Sequence, residues 1–234
     1  MKKTPRIAVI LDENTSGDAS RYEASKGYFE AVRRAGGLPF GVPYMTDLIP
    51  VVIDEFDGVV FTGGRYAFPD HWYLDGEFSK APRSNDRVAV EQNIMEAYLA
   101  RDKPMLGICA GMQTLACLNG CRLWADIQAT CPNIQPHDQA GLLHPITLDR
   151  GSYLHAMVDT VEMRVNTFHR EAIRQLSPGV RASAMSDDGI VEAIEVIDHR
   201  FAIGLQWHQE RFTQPGHPGQ AVFEGFINAC QSHP

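Results

Sequence analysis

The chain has 234 residues and a formal net charge of −8, from 21 basic and 29 acidic side chains. That acidic surplus excludes a basic face for nucleic acid, and 44% hydrophobic with 21% charged residues is the make-up of a globular domain rather than a disordered segment. No run reaches the ~18 apolar residues of a membrane span, and Ile7 to Leu11, behind the basic N-terminus, is too short for a secretory leader.

In chain order, Ile7 to Leu11 reads as a strand and the periodic stretch Tyr22 to Ala35 as a helix that Gly36-Gly37 ends. Leu38 to Val42 reads as a second strand and Thr46 to Ile53 as a short helix whose length Pro50 limits. Asp57 to Thr62 is a third strand, running directly into Gly63-Gly64. Residues 65–83 form a long irregular insertion rich in aromatics, either a functional loop or one packed down by its own rings. Ser84 to Asp102 predicts a helix capped by Ser84 or Asn85, and Met105 to Ile108 a strand. This alternation predicts an α/β fold, a doubly wound, mostly parallel sheet with flanking helices, in one domain over residues 1–234. Ligands of such sheets bind beyond the C-terminal strand ends.

Beyond the helix-compatible stretch that follows Cys109, Arg122 to Leu148 reads as irregular, broken by Pro132, Pro136 and Pro145. A small β-rich section comes next: Ile146 to Asp149, Thr160 to Val165, Arg181 to Ser186, Val191 to Ile197 and Phe201 to Gln206. The last two are expected to pair as a hairpin around Asp198-His199-Arg200, and Pro218 to Cys230 to close the chain as a helix.

Between Gly107 and Gly111 stands a single cysteine, Cys109, at a strand-to-helix turn. The analogous Gly-x-Ser-x-Gly turn lifts a nucleophile clear of its sheet, and a thiol at a helix N-terminus is expected to have its pKa lowered by the dipole and the free N–H groups. A thiol nucleophile needs a base and a group to orient that base. In an extended Gly204 to Glu210, His208 and Glu210 project from one face and supply both. Five cysteines (109, 117, 121, 131 and 230), without a Cys-x-x-Cys pair, suit a reducing compartment, so the chain is expected in the cytoplasm. Cys117, Cys121, Cys131 and His137 are conceivable zinc ligands, but their spacing matches no zinc motif, and no metal is expected.

Gly107-Ile108-Cys109-Ala110-Gly111-Met112-Gln113 together with Gly204-Leu205-Gln206-Trp207-His208-Gln209-Glu210 resembles the class I glutamine amidotransferase superfamily. Gly63-Gly64, Pro69-Asp70-His71-Trp72-Tyr73, His144-Pro145-Ile146-Thr147 and Val165-Asn166-Thr167-Phe168-His169 resemble more narrowly its γ-glutamyl hydrolase branch. These are the C26 cysteine peptidases, which include γ-glutamyl-γ-aminobutyrate hydrolases of polyamine breakdown. The resemblance runs over roughly residues 6–230.

It implies a flavodoxin-like, class I amidotransferase-like fold and a hydrolase acting on the amide of a small γ-glutamyl compound. Cys109 is the implied nucleophile, His208 the base and then the acid, and Glu210 its orienter. Backbone N–H groups of Gly64 and Ala110 match the oxyanion donors. Gln113 matches a residue near the bound glutamyl group, and Thr167, Phe168 and His169 the segment that holds its α-amino and α-carboxylate ends. No cofactor is implied, and no nucleic-acid or membrane partner; the partner is a small γ-glutamyl substrate or glutamine, and a homodimer is left open. Alternatives are a glutaminase subunit delivering ammonia to a separate synthetase, and a non-catalytic metabolite-binding or redox-sensing module. Ala110, Arg170-Glu171 and Gln209 depart from residues common in that family, the first two bearing on substrate identity.

Overall fold

A computed structural model describes residues 3–14, 20–74, 76–81, 86–131 and 133–232. Its first half contains β1 (Arg6–Ile10), β2 (Asp12–Asn14), β3 (Arg21–Glu23), α1 (Lys26–Arg34), β4 (Leu38–Val42), α2 (Ile49–Glu55), β5 (Gly58–Phe61), α3 (Arg87–Ala100), β6 (Met105–Ile108) and α4 (Ala110–Leu118). There follow β7 (Arg122–Trp124), α5 (Ile127–Thr130), β8 (Leu143–Leu148), α6 (Tyr153–Val158), β9 (Glu162–Asn166), β10 (Ala172–Gln175), β11 (Val180–Ser186), β12 (Val191–Val196), β13 (Ala202–Leu205) and α7 (Gln220–Gln231).

Nine strands make one sheet in the order β4-β1-β5-β6-β13-β12-β11-β8-β9. The five from β4 to β13 are mutually parallel, and the remaining neighbours pair antiparallel. The β-rich section is therefore the second half of the same sheet rather than an appendage. Its β12 and β13 form the expected hairpin and carry the ladder from the parallel to the antiparallel half.

Side-chain alternation sorts the strands between two cores. Ala8 and Ile10 join one with Val59 and Phe61, while Ile7 and Val9 join the other with Val60. Apolar faces of α2, α3 and α4 cover the first core, and those of α1, α6 and α7 the second. The result is the doubly wound, three-layer arrangement that the alternation of elements predicted.

Local departures have local causes. The helix expected from Tyr22 begins at Lys26, because Arg21–Glu23 pairs antiparallel with Asp12–Asn14 and Ser25 then caps, its hydroxyl accepting from the Gly27 N–H at 3.2 Å. Thr46–Leu48 is a 3-10 turn and α2 continues from it, with Pro50 in the first turn, where a missing N–H costs nothing. The caps expected at Ser84 and Asn85 lie outside the described residues. Arg122 to Leu148 is less irregular than its prolines suggest, since β7 pairs with β10 and Asp126 caps α5.

In the 65–83 insertion Tyr66, Phe68, Trp72 and Tyr73 are buried, so its rings anchor the loop. Its polar residues Arg65 and Lys80 line a cleft beside the parallel strands' C-terminal ends.

Candidate active site

Three adjacent parallel strands end level with one another. Phe61 of β5 is in register with Gly107 of β6, and Leu205 of β13 with Ile108. Gly63-Gly64, Cys109 and His208 leave the sheet from these ends, which is why residues so far apart in sequence meet. Cys109 has φ 53° and ψ −107°, a conformation non-glycine residues seldom adopt, and is held there by its N–H donating to Leu205 O at 2.7 Å. The helix α4 starts at the next residue.

The two flanking glycines are steric requirements. A Cβ on Gly107 would lie 2.6 Å from the Gly111 carbonyl oxygen, and one on Gly111 would lie 2.4 Å from the Phe61 carbonyl oxygen. Strand, elbow and helix are thus packed backbone against backbone.

His208 and Glu210 do meet, Nδ1 to Oε1 at 2.7 Å, but not along an extended strand. β13 stops at Leu205, and Gln209–Arg211 is a 3-10 turn that folds the carboxylate under the imidazole. The turn is pinned from α1, where a Cβ on Gly27 would lie 2.4 Å from the Glu210 carbonyl oxygen. Asn166, at the end of β9, clasps the His208 backbone: its Oδ1 accepts from the His208 N–H at 2.9 Å and its Nδ2 donates to the His208 C=O at 2.8 Å.

Burial disfavours the imidazolium form of His208, but hydrogen bonds with Cys109 and Glu210 and the negative charge on both outweigh it, raising its pKa to about 10. Gly63 closes the arrangement. A Cβ there would lie 2.7 Å from His208 Cε1 and 3.4 Å from Cys109 Cβ, so nothing larger fits between the turn and these two side chains.

The Gly63-Gly64 turn is held by residues that sequence reasoning passed over. Tyr28 Oη accepts from the Gly63 N–H at 3.0 Å. Arg87, fully buried, donates to Thr62 O at 2.6 Å and to Gly63 O at 3.2 Å, and pairs with Asp12 and Glu91, both at 2.8 Å. In sequence Arg87 and Glu91 are an ordinary i,i+4 pair on a helix, the usual mark of a solvated face. Only the packing of α3 reveals that this pair is internal.

Gly64 lines both of the clefts that meet at Cys109. Ala110, first residue of α4, has an N–H for which the helix offers no acceptor. Gln113 lines one cleft, its Nε2 donating to Glu171 O at 2.8 Å and Gln206 Oε1 at 3.1 Å. Phe168 borders both clefts, with the Arg65 guanidinium 4.4 Å from its ring centroid.

His169 reaches the first cleft, but its Nδ1 is bonded to Glu171 O at 3.0 Å and its Nε2 points into a buried histidine cluster. Thr167 is buried, its hydroxyl donating to His137 O at 2.7 Å, and is not among the cleft-lining residues. Cys117, Cys121 and Cys131 join no cluster of metal-ligating groups among the described residues; His137 is in one, with His144 and Glu192. No helix of the described residues is long and apolar enough to cross a membrane.

This constellation has relatives. The sequence profile of the Peptidase C26 family matches residues 6–210. The chain belongs to the peptidase C26 family. Its C26 membership makes it a hydrolase of amide bonds. The γ-glutamyl-γ-aminobutyrate hydrolase PuuD of Escherichia coli K12 is 30% identical over 98% of this chain and 94% of its own length. The putative glutamine amidotransferase-like protein YvdE of Lactococcus lactis is 34% identical over 78% of each chain. In fold, the C26 chain is similar to the glutaminase domain of Trypanosoma brucei CTP synthase, with TM-score 0.67 at 15% identity, covering 97% of this chain and 94% of that one.

Proposed function

We propose that this chain hydrolyses the amide bond of small γ-glutamyl amines, of the γ-glutamyl-γ-aminobutyrate type, through a γ-glutamyl thioester on Cys109. The observation that carries the reading is the meeting of Cys109, His208 and Glu210 at adjoining strand ends, beside the Gly63-Gly64 turn that borders the same cleft. The full-length similarity to a hydrolase of that substrate supports it.

In this mechanism His208 takes the Cys109 proton, the sulfur attacks the γ-carbonyl carbon, and the oxyanion takes hydrogen bonds from the N–H groups of Gly64 and Ala110. His208, protonated at neutral pH, gives its proton to the leaving nitrogen as the C–N bond breaks and the thioester forms. Water then attacks the thioester with His208 as base, the C–S bond breaks, and glutamate leaves. Glu210, its Oε1 2.7 Å from Nδ1, holds the ring so that Nε2 faces the sulfur.

The leaving amine occupies the cleft bordered by Arg65, Lys80 and Arg170. Their acidic neighbours are Asp138 for the two arginines and Asp126 for the lysine, and Glu171, whose carboxyl pKa burial raises to about 7, lines the same cleft. An amine that itself carries a carboxylate, as γ-aminobutyrate does, suits the guanidinium and ammonium groups there.

The test is amine release from a panel of γ-glutamyl-γ-aminobutyrate, uncharged γ-glutamyl amines, a folyl-polyglutamate and free glutamine. Turnover of the carboxylate-bearing γ-glutamyl amine well above glutamine is the expected result. Activity on glutamine alone, or only with an added protein, would replace this reading with that of an ammonia-delivering subunit.

A further inference from the structure

Behind the cleft, on the antiparallel half of the sheet, lies a second cluster of chemically capable side chains. Glu192 of β12 is fully buried, and around its Oε1 stand His137 Nδ1 at 3.5 Å, His144 Nε2 at 3.6 Å and His169 Nε2 at 3.5 Å. All three imidazoles are buried as well. Ligand atoms of His137, His144 and Glu192 lie within 4.8 Å of one another.

The outer nitrogens of the rings decide what the inner ones can do. His144 Nδ1 lies 3.2 Å from the Pro145 carbonyl, nearer than the Gln135 amide at 3.4 Å, and His169 Nδ1 lies 3.0 Å from the Glu171 carbonyl. A carbonyl only accepts, so both Nδ1 atoms carry hydrogen. His137 Nε2 likewise faces the Asp188 carboxylate at 3.1 Å. The Thr167 hydroxyl, 3.3 Å from His137 Nδ1, spends its hydrogen on the His137 carbonyl.

Each ring therefore turns a lone pair inward, toward a carboxylate that offers only lone pairs of its own. His144 Nε2, His169 Nε2 and both Glu192 oxygens have no hydrogen-bond partner. Such a set of buried acceptors with no donor among them is strongly unfavourable, and a cation at the centre relieves it. A proton does not suffice. Charge-assisted N–H···O⁻ bonds close to about 2.7–2.9 Å, and none of these contacts is that short.

We infer that this is a zinc site, with His137 Nδ1, His144 Nε2 and a Glu192 oxygen as its protein ligands and His169 Nε2 beside it, facing the same Glu192 oxygen at 3.5 Å. Zn–N and Zn–O bonds of about 2.0–2.1 Å at tetrahedral angles place ligand atoms about 3.4 Å apart, close to the 3.5 Å from Glu192 Oε1 to His137 Nδ1 and the 3.6 Å to His144 Nε2. Imidazole nitrogen with one carboxylate is a donor set suited to Zn²⁺. Ring nitrogens bonded outward to carbonyl and carboxylate are the usual supports of metal-bound histidine. All three ligand residues are buried between the sheet and the His137 loop, so the ion has a structural role. It ties the loop at His137 to strands β8 and β12, beside residues 167–171, whose His169 faces the same Glu192 oxygen and which carry Phe168 along the cleft and, through the Glu171 carbonyl, receive the Gln113 amide.

The experiment measures zinc per chain by plasma mass spectrometry after equilibration with ZnSO₄ and gel filtration, together with the melting temperature with Zn²⁺ and with EDTA. It compares the unaltered chain, Cys109→Ala, Glu192→Gln and His144→Ala. One zinc per chain, retained in Cys109→Ala, lost in Glu192→Gln and His144→Ala, and accompanied by a lower melting temperature in EDTA, is the expected result. A visible Co²⁺ spectrum of the unaltered chain, tetrahedral and without a thiolate charge-transfer band, keeps the test decisive if either cluster variant fails to fold. No zinc in the unaltered chain, zinc lost with Cys109, or a thiolate band in the cobalt spectrum would each overturn the inference. None of these readings depends on which amide the enzyme cleaves.

Discussion

Burial alone would keep the His208 imidazole neutral; its bonds to Cys109 and Glu210 reverse that and carry its pKa from 6.5 to about 10. A folded pKa above the unfolded one means that the contribution to stability is complete below about pH 6.5 and is lost as pH rises through about 10. Removing the charge with Glu210→Gln should pull the titration back toward neutrality. Imidazole resonances followed by NMR will show His208 protonated through pH 8 in the unaltered chain and deprotonating earlier in the variant; coincident titrations would contradict the assignment.

Asn166 acts one step further back. Asn166→Ala leaves the His208 N–H and C=O without their partners, at about 1–3 kcal/mol each, and lets the ring drift from the sulfur. The expected kinetic result is a kcat reduced by at least about tenfold with KM little altered, since a drifting base weakens the transition state more than substrate binding. An unchanged kcat would remove Asn166 from the positioning of the base.

At the scale of the element, the elbow was the most legible part of the chain, because its requirements are local: a strand, two glycines and a helix in succession. Gly111→Ala should destabilise by about 1–3 kcal/mol or more, since its new methyl meets the backbone carbonyl of Phe61 rather than a side chain that can rotate away. Gly179, with open space around it and no left-handed φ, is the control, and Gly179→Ala should leave the thermal unfolding midpoint nearly unchanged. Equal effects of the two substitutions would deny the close packing of elbow on β5.

Arg87 of α3 is the opposite case. Its charge pattern reads as a surface pair, and only the tertiary placement of α3 puts it under the Gly63-Gly64 turn. Arg87→Met leaves Glu91 and the turn carbonyls buried without their cation, so a loss of about 3–5 kcal/mol in denaturant titration is expected. A loss below about 1 kcal/mol would mean that the buried network does not support the turn.

Across the whole molecule, the parallel half of the sheet ends at the proposed catalytic residues and the antiparallel half builds the wall behind them. The sequence revealed the parallel half well, because each β-α step is announced by periodicity and a glycine. Its pairing of His208 with Glu210 was right for a reason that failed: the two meet through a 3-10 turn rather than along a strand. The antiparallel half was legible strand by strand but not in its order, β12-β11-β8-β9, which places β12 beside β13 and β8 beyond β11. That order assembles His137, His144, His169 and Glu192, whose sequence spacing matches no ligand motif.

The proposed mechanism rests on one bond, the thioester between Cys109 and a γ-glutamyl group. Acid-quenching the enzyme during turnover of γ-glutamyl-γ-aminobutyrate and measuring its intact mass tests that bond directly. The chain is expected to gain the mass of one glutamyl acyl group, mapped to Cys109 by peptide sequencing and absent from Cys109→Ala, which should not turn over. Release of amine by Cys109→Ala, or an acyl group found on any other residue, would contradict the mechanism.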